Sequence, residues 1–121
     1  MALGAWAAHG LEAAYGPRAV SLVDTAVRYQ LWHTLGIVGA MVLYRIARLE
    51  HAPAAAVWLA RAAQLFALGI LLFCGSLYIL AFAGPGWLGA ITPVGGFAFI
   101  AGWLALGWGA MRAFANDKTR G

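Results

Sequence analysis

Between Arg61 and Arg112 lie 50 residues without a charged side chain, and this apolar run is broken by Gly84-Pro85-Gly86 and by Thr92-Pro93. An α-helix rises about 1.5 Å per residue and must cross a hydrocarbon core of about 30 Å, so the run predicts two membrane-crossing helices and a connection. The breaks fall where the connection belongs. One helix is expected over 55–83, with Trp58 and Arg61 near one interface, and a last one over 93–114. Thr92 is expected as its N-cap, with Pro93 in the first turn. Trp87 suits the interface between the two.

Upstream, Gly16-Pro17 opens another stretch free of breakers, expected as a helix over 17–48. Ser21, Asp24 and Arg28 recur at helical spacing, opposite Val20, Val23, Val27 and Leu31, so the opening is amphipathic and expected to lie at the membrane interface. From Tyr29 to Tyr44 the pattern turns almost wholly apolar and carries the same helix across the bilayer to Arg45 and Arg48. Glu50-His51-Ala52-Pro53 then breaks it. The apolar stretch Met1 to Ala8 makes about 12 Å of helix, less than a span, and lacks the basic start of a signal peptide. The pattern therefore predicts an all-α integral membrane protein. It is expected to be a small bundle of three full transmembrane helices plus a short or truncated N-terminal helix over 1–10, in one membrane domain over 1–121.

Composition narrows the class. The 121 residues are 64% hydrophobic and 10% charged with a mean hydropathy of +0.80, against about 25% charged residues in soluble domains. Too little polar chain remains for a second, water-soluble core. The net charge of +4 comes from residues set singly at segment ends, which marks topology rather than nucleic-acid binding. Arg45, Arg48, Arg61, Arg112, Lys118 and Arg120 fall on one face, and Arg18 and Arg28 on the other. By the positive-inside rule the C-terminus and the His51 loop are expected in the cytoplasm, with the Gly84–Thr92 loop outside. Cys74 stands alone inside an apolar segment, so neither a disulfide nor a thiolate metal site is expected.

Two patterns lie within the spans. Gly95, Gly102 and Gly109 recur every seven residues with Ala98 and Ala105 between them, a stripe on which another helix can pack, within the bundle or from a second subunit. Gly69 and Gly75 offer a similar feature on the preceding segment. The polar residues Tyr29, Gln30, His33, Ser76, Tyr78 and Thr92 gather toward the outer leaflet, joined by His9 if the N-terminal stretch ends there. Polar groups in lipid need partners, so this cluster implies hydrogen bonds among its members, water or a ligand. The simplest reading is a structural network. A sharper one has His9 and His33, with Tyr29, holding haem iron, another metal or a quinone. A proton or ion path is disfavoured, since no Asp or Glu lies within a span. Neither a nucleophile elbow nor a phosphate loop is present.

The stretches Gly4-Ala5-Trp6-Ala7-Ala8-His9-Gly10-Leu11, Thr25 to His33, Leu72 to Tyr78, and Ile91 to Gly96 continuing to Gly102-Trp103 together resemble the YgdD-like inner-membrane proteins, a domain of unknown function. The resemblance covers nearly the whole chain. It implies a four-helix bacterial inner-membrane protein with eukaryotic relatives, without an established catalytic activity, ligand or catalytic residue. Cys74 stands where the family leads one to expect serine. Relatives of this kind carry a full span before the Ala-His-Gly motif, where this chain has eight residues before His9. Either translation starts further upstream, or only the outer half of that helix is present, leaving a groove on the cytoplasmic side.

The function expected is a non-catalytic structural or accessory subunit, packed through the glycine stripe against a larger membrane complex or a second copy. It is expected to be no enzyme and to carry no cofactor. The alternative is a redox membrane protein built on His9, His33 and Tyr29. The apolar inner half of the spans argues against a transporter or channel.

Overall fold

A computed structural model describes residues 2–6, 10, 12–82 and 84–120. Its elements are helical throughout. They are α1 (Ala2–Trp6), α2 (Glu12–Tyr15), α3 (Pro17–Leu49), α4 (Pro53–Gly69), a π turn (Ile70–Cys74), α5 (Gly75–Ala81), a 3-10 turn (Gly86–Ala90) and α6 (Ile91–Arg120). Two stretches, Pro53–Ala81 and Gly86–Ala115, are long and apolar enough to cross a membrane. Only 28% and 33% of their most apolar windows are buried by the protein, so most of that surface faces outward. A core helix of a soluble protein shows the reverse.

The helix ends follow from local chemistry. Gly16 turns the chain from α2 into α3 at a φ of 88° that suits glycine, and Pro17 follows in the first helical turn, where a missing N–H removes no helical bond. At the other end the Ala52 N–H closes back on the Ala47 carbonyl at 2.8 Å, around His51 at a φ of 55°. That is the left-handed C-terminal stop usually built on glycine. Pro53 then starts α4, so α3 and α4 run antiparallel across a short turn.

Small side chains let the helices approach closely. Ala26, Ala40, Ala62, Phe66, Cys74 and Phe99 form the central core. Ala19 and Val23 meet Ala81 at one end, while Ala47, Ala52, Ala55 and Leu59 meet at the other. The segment over 17–28, expected at the membrane interface, therefore packs against α5 as the continuation of one helix. Alanine at 19 and 26, flanking Val23 on one side of α3, gives α5 a flat surface to lie on. Asp24 and Arg28 point away from that contact and form an exposed ion pair at 3.0 Å.

α1 and α2 are held at the same end by rings. Trp6 stacks on Phe82 at 5.9 Å, and Tyr15 meets Phe82 edge-on at 5.2 Å. His9 lies outside the described residues.

Two sequence expectations change. The final helix starts at Ile91, straight from the 3-10 turn, so Thr92 lies inside it and is not an N-cap. The preceding turn supplies the Leu88 carbonyl that Thr92 Oγ1 reaches at 3.5 Å. The glycine stripe is also not open to a second protein. Added Cβ atoms at Gly102 and Gly109 would lie 2.7 Å from the Phe66 ring and 2.9 Å from Leu59 Cγ, and one at Gly95 would strike the Phe73 backbone. α4 and its π turn already occupy that face. Gly69 similarly faces the Phe99 ring, whereas Gly75 faces open space.

Candidate functional site

The polar residues expected toward one leaflet separate into three bonded units rather than one cluster. Tyr78 donates to Gln30 Oε1 at 2.6 Å, joining α5 to α3. Ser76 and Thr92 share a hydroxyl bond of 2.6 Å, joining α5 to α6, and Ser76 also donates to the Phe73 carbonyl at 2.9 Å. Tyr29 and His33 form the third unit on α3, their rings stacked at 5.8 Å and 11°.

The π turn positions the first two units. Its wide hydrogen bond from Gly75 N–H to the Ile70 carbonyl inserts one extra residue, which rotates everything downstream by roughly 100° relative to a continuous α-helix. Cys74, Ser76 and Tyr78 consequently all reach neighbouring helices. The Cys74 thiol donates to the Ala26 carbonyl at 3.3 Å.

His33 is the most enclosed polar side chain on α3, 6% exposed. Its Nδ1 lies 2.7 Å from the Tyr29 carbonyl, and Trp103 Nε1 lies 3.1 Å from its Nε2. An indole N–H only donates, so Nε2 is the acceptor and Nδ1 carries the proton given to Tyr29. Phe99 stacks on the imidazole face at 3.6 Å and 12°, and Phe66 packs at 5.7 Å. Both nitrogens are engaged, so a metal or haem iron would have to displace Trp103. Among the described residues no three His, Cys, Asp or Glu side chains are grouped as a metal site would need.

Beside this stack an apolar groove of about 520 Å³ opens between α3 and α6, over Tyr29, His33, Phe97, Ile100 and Trp103. Its walls are uncharged. Apart from the Tyr29 hydroxyl and the engaged His33 ring, its lining is hydrocarbon and aromatic surface.

Trp103, Phe66 and Phe99 complete the His33 environment and were not singled out by sequence reasoning. Trp103 lies 70 residues from His33. The available signal was size complementarity, because Gly69 makes room for Phe99, while Gly36 and Gly102 make room for Phe66.

Comparison with known proteins agrees with a membrane protein of undescribed activity. Residues 3–96 match the family model described as "Protein of unknown function (DUF423)". A UPF0382 membrane protein of Haemophilus influenzae is 38% identical over 117 residues, covering 93% of this chain and 85% of its own. The UPF0382 inner membrane protein YgdD of Escherichia coli K12 is 37% identical over 93% of this chain and 80% of its own. The UPF0382 membrane protein YwdK of Bacillus subtilis is 41% identical over 86% of this chain and 80% of its own. No solved structure matches. With the family model spanning most of the sequence and these relatives covered over most of their length, the chain belongs to the DUF423 family of membrane proteins of unknown function.

Proposed function

We propose that this protein is a non-catalytic, multi-pass inner-membrane protein that serves as an accessory subunit of a larger membrane complex. The observation carrying this reading is that Gln30, His33, Ser76, Tyr78 and Thr92 all have their side-chain polar groups engaged in joining helices. Ser76 bonds Thr92, Tyr78 bonds Gln30 and Trp103 bonds His33. Among the described residues no buried side-chain nitrogen or oxygen lacks a partner. In lipid such bonds specify which helix packs where, because apolar contact alone gives little preference.

α3 is the third crossing in this reading. Its 33 residues extend about 50 Å, and its contacts run from Ala81 at one end of the Pro53–Ala81 stretch to Ala52 at the other. The arginines at positions 45, 48, 61 and 112 then share the cytoplasmic end, with the C-terminus.

The test is extraction of the full chain from its native membrane in a mild detergent, followed by measurement of particle mass and subunit composition. A defined particle with a fixed partner stoichiometry is expected. A free monomer under conditions that keep other membrane complexes intact overturns the reading.

A further inference from the structure

A groove of about 660 Å³ lies between α4 and α6, lined by Trp58, Arg61, Leu65, Ala101, Leu104 and Trp108. Antiparallel packing sets the depth of its parts. Gly109 meets Leu59 and Gly102 meets Phe66, so Trp108 is level with the turn bearing Arg61, and Ala101 and Leu104 lie deeper. Arg112 sits about one turn nearer the helix end. Arg61 thus lines the mouth of the groove, with hydrocarbon walls below, and Arg112 stands just beyond that mouth over Trp108.

Each cation is laid over an indole of the groove wall. The Arg61 guanidinium carbon is 5.5 Å from the Trp58 ring centroid, and that of Arg112 is 5.0 Å from the Trp108 centroid. Such contacts orient a guanidinium without neutralising it. Among the described residues neither arginine pairs with a carboxylate, and the Arg28–Asp24 ion pair lies at the opposite end of the bundle.

Depth makes the unmatched charge consequential. Pro53–Ala81 is a 29-residue stretch centred on Ala67, so a core about 30 Å thick begins near Val57. The Arg61 backbone is then about 6 Å below that boundary, and its side chain must reach back along the groove toward the headgroups. A basic recess between membrane helices, with apolar walls running inward, matches a phosphate carrying acyl chains. A free anion would leave those walls unused.

We propose that this groove binds one anionic glycerophospholipid, with its phosphate held by Arg61 and Arg112 and an acyl chain along Leu65, Ala101 and Leu104. The site does not depend on the accessory-subunit reading, since it lies wholly within one chain.

The experiment uses the purified full chain in neutral detergent. Lipid retained on the protein is measured by native mass spectrometry, and Tm is followed while phosphatidylglycerol, phosphatidylcholine with the same acyl chains, or inorganic phosphate is added. Phosphatidylglycerol should be retained one per chain and raise Tm, with phosphatidylcholine and phosphate leaving both unchanged. Arg61→Gln and Arg112→Gln should each weaken retention about fivefold, as expected for losing one basic contact near a headgroup. Ala101→Trp, which fills the groove without touching a charge, should abolish retention while its Tm without lipid stays near that of the parent. Arg45→Gln, at the same end but outside the groove, should bind normally. Equal retention of phosphatidylcholine, an equal effect of inorganic phosphate, or full retention by Arg61→Gln overturns the proposal.

Discussion

Trp103 on α6 donates its indole N–H to Nε2 of His33 on α3 across 3.1 Å, tying together two helices that otherwise touch little. α4 lies between their inner faces and packs against each more extensively than any other element does. The bond therefore sets the rotation of α6 relative to α3. Trp103→Phe keeps one aromatic ring but removes the pyrrole N–H, leaving a buried acceptor unpaired. It should destabilise the folded state by about 1–2 kcal/mol. Reversible unfolding in mixed micelles measures this, and combining it with His33→Leu should cost less than the sum of the single changes.

Gly95 and Gly107 lie on the same helix in opposite surroundings. A methyl at Gly95 would strike the Phe73 backbone, which cannot step aside as a side-chain tip does, whereas one at Gly107 meets nothing within 4 Å. Gly95→Ala should lower stability by about 1–3 kcal/mol. Gly107→Ala should be neutral, or stabilise by up to about 1 kcal/mol through helix propensity. The same unfolding assay separates them, and equal effects would contradict the close packing of α6 on the π turn.

His51 holds a φ of 55° at the α3–α4 turn, where a side chain is strained. His51→Gly keeps the closing bond from Ala52 to Ala47 and relieves the strain. A stabilisation of about 1 kcal/mol is expected. A loss of stability would mean that the imidazole makes a contact worth more than the strain.

Orientation is checked with cysteines placed at His51 and Trp87 in a Cys74→Ala background. Trp87 is 65% exposed and His51 is also exposed, so both are open to a membrane-impermeant maleimide reaching their side. In intact spheroplasts the residue-87 cysteine should be labelled, and the residue-51 cysteine only after lysis. The reverse pattern would invert the topology.

Much of the helix layout was legible because breakers carry it. Pro17 and Pro53 stand at helix starts, and Gly84-Pro85-Gly86 separates the last two long helices. The Asp24–Arg28 ion pair and the Tyr29–His33 stack follow from i,i+4 spacing on one helix. Relations between helices were less legible, since they depend on how each helix is rotated. Ser76 and Thr92, or Gln30 and Tyr78, could be placed at one depth from sequence, but not paired. The glycine stripe marked a close contact without saying with what. The π turn had no signal at all, because Ile70-Leu71-Leu72-Phe73-Cys74 reads as ordinary α-helix. Thr92-Pro93 misled for a local reason: the same residues that suit a helix start also fit its first turn when a 3-10 turn precedes them.

That π turn makes the two halves of its helix separate in phase. The first half, from Pro53 to Gly69, meets its neighbours mainly through alanines, leucine and phenylalanine, contacts that tolerate a small change of angle. The second half, from Cys74 at the end of the turn to Ala81, presents donors that find acceptors at one angle only. Shortening the turn by a residue would delete almost no packing surface. It would act as a twist, swinging a thiol, a serine and a tyrosine from protein into lipid together.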